Sequence, residues 1–265
     1  MRAVLTIAGS DSSAGAGIQA DLKTFAALGV YGTSAVTAIT SQNTSGIDEV
    51  FPLPPEIVRS QIEKVAQDIA LSAVKTGMLA TADISRIVAD TLGTLRRPNL
   101  VVDPVMTAGN PGRRTLLPPE AVEILKTRLL ALATVVTPNT LEACVLSGID
   151  VRSLDEAREA AKRILDLGPQ AVVVKGGHLE GRTAIDLLYD GKTFTEFSSP
   201  RSPFESVHGT GCAFASAIAA GLALGDELPA AVARAKTYVT GAIEHSFELG
   251  SGARLIDHFW LYTEA

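Results

Sequence analysis

The chain has 265 residues, 46% hydrophobic and 20% charged, with 23 basic and 29 acidic side chains and a net charge of −6. This length suits one α/β domain over residues 1–265, and the composition excludes a mainly disordered chain. Mild acidity without a basic patch argues against a nucleic-acid partner, and no run of about 18 apolar residues argues for a membrane span.

Ala3–Ala8 reads as a buried strand, and the apolar run stops at Gly9, too short for a signal-peptide core. Gly17–Leu28 reads as a helix closed by Gly29, and Ser34–Thr40 as a second strand. Val58, Ile62, Val65 and Ile69 recur at helical spacing, and Val74 lies in a short strand before Gly77. Ile84–Leu95 is helical, Leu100–Pro104 a strand, and Ala121–Leu132 a helix with Val122, Leu125, Leu129 and Leu132 on one stripe. Thr134–Thr137 and Ala171–Lys175 read as strands around helices Asn139–Ser147 and Glu156–Leu167. Two strands flank the turn Asp190-Gly191, and helices follow over Gly211–Leu224 and Leu228–Glu248. The tail from Ala253 carries the only tryptophan, Trp260, and is expected to dock on the body. Strands alternating with helices predict a mainly parallel sheet with helices on both faces. Two distant cysteines, Cys144 and Cys212, fit a reduced, cytoplasmic setting.

In such sheets ligands sit beyond the carboxyl ends of the strands. Those ends carry the polar groups here: the loop Gly9–Gly17, Ser41-Gln42-Asn43, Lys75-Thr76-Gly77-Met78, Asp103, Thr137-Pro138-Asn139 and Lys175-Gly176-Gly177-His178. Gly15–Ala20 matches a dinucleotide fingerprint, yet no acid ends the second strand, and a tight turn explains the glycines equally. Gly191-Lys192-Thr193 is no phosphate-binding loop, because Asp186 stands where its first glycine belongs.

His208-Gly209-Thr210-Gly211-Cys212 opens directly into an apolar helix. Backbone N–H groups and the helix dipole make Gly209, Thr210, Gly211 and Cys212 an anion hole for a transferring phosphoryl group. The competing reading makes Thr210 an ordinary N-cap. Cys212 at that positive end is expected to have a lowered thiol pKa and to serve as a weak base, or else to be a small packing residue. Asn139 and Glu142 have the spacing of a capping box, or Glu142 orders water around Mg²⁺. A carboxylate at a buried strand tip, Asp103, suits a neighbouring cation.

Seven segments together resemble one family. They are Asp11–Thr24, Thr40–Thr44, Lys75–Leu79, Val102–Met106, Thr137–Asn139, Lys175–Leu179 and His208–Cys212. In this order they resemble bacterial hydroxymethylpyrimidine/phosphomethylpyrimidine kinases of the ribokinase-like superfamily. The resemblance implies a three-layer sandwich and two phosphorylations by ATP with Mg²⁺ in thiamine biosynthesis: of 4-amino-5-hydroxymethyl-2-methylpyrimidine, then of its monophosphate. It implies that Asp21, Gln42, Met78 and Val105 hold the pyrimidine, and that Gly209–Cys212 form the anion hole. It matches the magnesium and nucleotide positions to Asp103, Asn139 and Glu142, and puts Lys175 near the nucleotide phosphates. It is compatible with a homodimer, although no interface stripe is legible.

The chain departs from the pattern at three places. Ser12 and Ala14 stand where the family shows Pro and Gly. Thr107–Arg114 lacks the usual lysine, and Arg113 or Arg114 is expected either to cover the phosphates or to be a solvated loop charge. Pro203–Val207 replaces a more polar approach to His208. Pyridoxal is a rival substrate. A dinucleotide-dependent oxidoreductase and a non-catalytic pyrimidine-binding protein are the further alternatives.

Overall fold

The computed structural model describes residues 1–95, 99–108, 114–177, 179–204 and 207–262. Arg113, His178, Glu205 and Ser206 lie outside the described residues, so the expectations placed on them are not taken further.

The strands are β1 (Ala3–Asp11), β2 (Tyr31–Asn43), β3 (Gly46–Pro52), β4 (Leu71–Thr76), β5 (Leu100–Val102), β6 (Val135–Val136), β7 (Val172–Val174), β8 (Thr183–Tyr189) and β9 (Phe194–Pro200). They form one sheet in the order β3-β2-β1-β4-β5-β6-β7-β8-β9. The pairs from β2 through β1, β4, β5 and β6 to β7 are parallel, and β3, β8 and β9 join antiparallel. The strand order reverses at β1, which pairs with β2 on one side and β4 on the other, so a crevice opens beyond their carboxyl ends.

Side chains alternate along each strand and feed two cores. Leu5, Ile7, Val102 and Val174 face one core, while Val4, Val101 and Val173 face the other. Helices α2 (Pro55–Asp68), α3 (Ala82–Thr94), α4 (Pro119–Ile124), α5 (Thr140–Ser147) and α6 (Leu154–Leu165) cover the first. Helices α1 (Gly17–Ala27), α7 (Thr210–Leu224) and α8 (Leu228–Glu244) cover the second. The three-layer α/β reading therefore holds.

Some boundaries differ from expectation. Strand β3 has no alternating apolar pattern, because it is an edge strand with much of both faces in water. Ser41-Gln42-Asn43 lies inside β2 instead of beyond it, since pairing with β3 extends the strand. The stretch after α4 continues as a π turn over Leu125–Leu129 and a 3₁₀ turn over Leu130–Leu132, although Leu125 and Leu129 are buried as their spacing requires. Helix α8 stops at Glu244. Beyond it Trp260 Nε1 donates to the Tyr238 carbonyl at 3.0 Å, and Arg254–Leu255 (β11) pairs with Val207–His208 (β10).

Candidate active site

A cleft of about 800 Å³ opens beyond the carboxyl ends of the strands and runs toward α8. At one end of it β1 finishes on Asp11, whose side chain is buried. One Asp11 oxygen accepts the Ser13 N–H and hydroxyl at 2.8 and 2.7 Å, and the other accepts the N–H groups of Gly15 and Ala16 at 3.1 and 2.7 Å. His208 Nε2 lies 3.1 Å from that second oxygen. Burial opposes this charge, but the bonds from His208, Ser13 and Ala16 outweigh it and hold the carboxyl at about 2. The glycine-rich loop is thus wrapped around a carboxylate. Its amides at Ser13, Gly15 and Ala16 are engaged, which overturns the dinucleotide reading of Gly15–Ala20.

Gln42 lines the cleft, with Nε2 3.0 Å from His208 Nε2. Met78 and Val105 line the same end and supply apolar surface. Asp21 does not join them: it lies under the cleft floor, fully buried, and accepts from Lys75 Nζ, Thr6 Oγ1 and Ser216 Oγ. Its expected contact with the pyrimidine is therefore corrected, because its oxygens are engaged within the protein. Lys75, its partner, is the residue of that pair that lines the cleft.

Helix α7 is entered through its N-cap Gly209, held at φ +88°, with no side-chain cap. Thr210 is consequently the first helical residue and not the N-cap, and Gly209, Thr210, Gly211 and Cys212 all line the cleft. A side chain at Gly209 would overlap the Gly15 carbonyl, so this start is keyed to the loop after β1. Cys212 corrects the expected sign. Burial pushes its thiol up to about 11, with Asp21 and Asp103 adding to the rise and the Lys75 ammonium opposing it.

Asp103 follows β5 and receives Lys175 Nζ at 2.9 Å. A Cβ on Gly211 would lie 3.3 Å from that ammonium, which places Lys175 directly beside the start of α7. Burial opposes the Lys175 charge, but Asp103 and Glu142 outweigh it and raise its pKa. Asn139 and Glu142 form the complete capping box of α5, at 2.8 and 2.9 Å, and both also line the cleft. Burial pushes the Glu142 carboxyl up to about 7, with Lys175 pulling it down and Asp103 pushing it further up. Asp103 thus pairs directly with the ammonium while Glu142 feels the charge of both, an arrangement that an added cation relieves. Among the described residues no three ligating side chains form a cage. The donors fit a magnesium ion held by one or two carboxylates, water and substrate phosphates. Arg114 is turned away, donating to the carbonyls of Ile47 and Asp48 at 3.2 and 2.6 Å, so it braces β3 instead of covering phosphates.

A family model for phosphomethylpyrimidine kinase matches residues 11–257. The chain is 48% identical over 261 residues to the hydroxymethylpyrimidine/phosphomethylpyrimidine kinase of Streptomyces coelicolor, covering 98% of this chain and 96% of that protein. The chain belongs to the phosphomethylpyrimidine kinase family. It is also 49% identical over 255 residues to a thiamine biosynthesis bifunctional protein of Geobacter sulfurreducens, covering 96% of this chain and about half, 52%, of that longer protein. The pyridoxal kinase of Staphylococcus aureus, in complex with AMP-PCP and pyridoxal, superimposes with a TM-score of 0.91 at 39% identity, covering 99% of this chain and 95% of that one.

The cleft of this phosphomethylpyrimidine kinase family member also holds residues that motif reading passed over. Asp11 ends β1 and His208 lies at the approach to α7, where no local pattern marks their pairing, and Lys75 is the cation at the tip of β4. Lys236 lines the α8 end, with Nζ 2.9 Å from Asp186 and from the Ala184 carbonyl. Nothing local in a helical lysine signals that pairing.

Proposed function

We propose that this kinase transfers the γ-phosphoryl group of ATP to the hydroxymethyl oxygen of 4-amino-5-hydroxymethyl-2-methylpyrimidine, and then phosphorylates the monophosphate. One observation carries the reading: an uncapped helix start beside the Lys175 ammonium, at the join of an apolar pocket and a longer cleft. Such a site matches the charge that spreads over the phosphoryl oxygens in a loose transition state. The substrate oxygen–phosphorus bond forms while the bond to ADP breaks. Because Cys212 keeps its proton, the hydroxyl loses its own late, first to the transferred group and then to water. Gln42 pairs the aminopyrimidine edge, and Met78 and Val105 flank the ring. Asn139 and Lys175 hold the nucleotide phosphates. Asp103 and Glu142 hold Mg²⁺, which when bound neutralises phosphate charge. Both cysteines are free, which supports a reducing, cytoplasmic setting.

Pyridoxal is the second reading, favoured by the likeness to the S. aureus pyridoxal kinase complex. Product analysis with Mg-ATP and the pyrimidine, its monophosphate or pyridoxal, side by side, separates the two. Pyrimidine mono- and diphosphate products are expected. Product from pyridoxal alone would replace the pyrimidine reading, and no transfer to any of the three would overturn the kinase assignment of the cleft.

A further inference from the structure

Lys75 stands at the end of β4, where the sheet reverses direction beside β1. Its ammonium donates to both oxygens of Asp21, at 2.8 and 2.9 Å, and both side chains are wholly shielded from solvent. Asp21 is itself fixed by the hydroxyls of Thr6 at 2.6 Å and Ser216 at 2.7 Å, from β1 and α7. An ammonium has three N–H donors. Two go to Asp21, and the third has no acceptor among the described residues. Lys75 also forms part of the cleft floor, in the company of Cys212 and Asp103. Gly77 leaves the ammonium its space, since a Cβ there would stand 2.9 Å from Nζ. A buried ion pair is weak support for stability, because apolar residues of similar volume commonly do as well. The position of this one, between the Met78 pocket and the Cys212 helix start, indicates another use.

We infer that Lys75 is a catalytic residue of the transfer step, donating its third N–H to the substrate oxygen as that oxygen bonds to phosphorus, and that Asp21 is the positioning residue that aims it. Lys75 keeps its proton throughout, so the proton balance of the transfer is unchanged. The inference rests on the phosphoryl-transfer reading above. It differs from the expected role of Asp21, which touches no substrate.

Removing one member of the pair leaves a buried charge and endangers the fold, so the decisive variant replaces both: Lys75→Met with Asp21→Asn. The expected result is a thermal midpoint close to wild type, unchanged ADP affinity and substrate KM, and a kcat lower by about 100-fold, the scale of losing one oxyanion donor. A kcat within threefold of wild type, or a loss confined to KM, overturns the inference. If the double variant fails to fold, Thr6→Val with Ser216→Ala decides, because both charges remain and only their support goes. A severalfold fall in kcat at constant KM is expected there, and an unchanged kcat overturns the inference. Wild-type turnover in the same assay separates the two levels. An inactive wild type overturns the kinase reading together with this one, whereas an active wild type with an equally active variant overturns this one alone.

Discussion

Asp11 accepts from four donors, two from Ser13 and the amides of Gly15 and Ala16, and lies 3.1 Å from His208 Nε2. A carboxyl held at about 2, below its ordinary 3.8, stabilises the fold at neutral pH. That contribution is complete above 3.8 and is lost as pH falls through 2, because the unfolded chain then binds the proton first. Discounted for partial solvent screening, it is on the order of 1–2 kcal/mol. Asp11→Asn is therefore expected to lower the melting temperature by roughly 2–8 °C near neutrality. Calorimetry should show the gap closing as pH approaches the folded value, and a gap independent of pH would refute the charge argument. The Cys212 thiol, pushed to about 11, should alkylate with iodoacetamide well over tenfold more slowly than glutathione at about pH 8. Peptide mass spectrometry reads this directly, and parity with glutathione would mean the thiol is not desolvated. These two residues show what is legible at this scale. Segment order identified Gln42, Met78, Val105, Asp103 and Lys175 as cleft residues. Burial depth is not legible there, and it is the main cause that reverses the expected sign at Cys212 and takes Asp21 beneath the floor.

Among the elements, the start of α7 depends most on backbone shape. Gly209 has φ +88°, and its α-carbon packs against the Gly15 carbonyl. Gly209→Ala adds left-handed strain, of order 1–3 kcal/mol, to a backbone overlap. On the proposed phosphoryl-transfer reading, turnover should fall by at least about 100-fold, since the first-turn amides move with the turn. A Gly209→Ala enzyme with near-normal kcat would show that these amides do not take part. Ala14 tests the same physics in the opposite direction. It sits at φ +59°, a left-handed conformation that favours glycine. Ala14→Gly should stabilise by up to about 1 kcal/mol, whereas the same exchange within a helix costs about that much. Denaturant midpoints decide it, and a loss of stability would contradict the strain. Periodicity found α2, which buries Val58 and Ile62, and the stretch Ala121–Leu132, which buries Val122, Leu125 and Leu129. It missed β3, whose register comes from pairing with β2 and not from a buried face.

At the scale of the whole molecule, the carboxyl-terminal segment joins parts of the site that are far apart in sequence. Ala253 N–H donates to the Thr44 carbonyl at 2.8 Å in the β2–β3 turn, and Leu255 pairs beside His208 and packs on Gly15. Further on, His258 meets Thr24 at 3.2 Å, and Trp260 lies in a notch on α8 made by Gly241, where any side chain would overlap the indole. The tail thus ties α1, α8, the edge hairpin and the His208–Gly209 turn into one assembly. Tryptophan docking was foreseeable from an apolar residue in a terminal segment, but its partners were not, since they come from contacts over long sequence separations. Trp260 is the only tryptophan, so fluorescence reports this docking alone. Gly241→Val should expel the indole, shift emission to the red and speed tryptic cleavage after Arg254. Because the released segment no longer braces Thr44 and His208, KM for the acceptor substrate should rise severalfold while ADP affinity holds. A red shift with unchanged KM would show that the tail stabilises the body without setting the geometry of the substrate end.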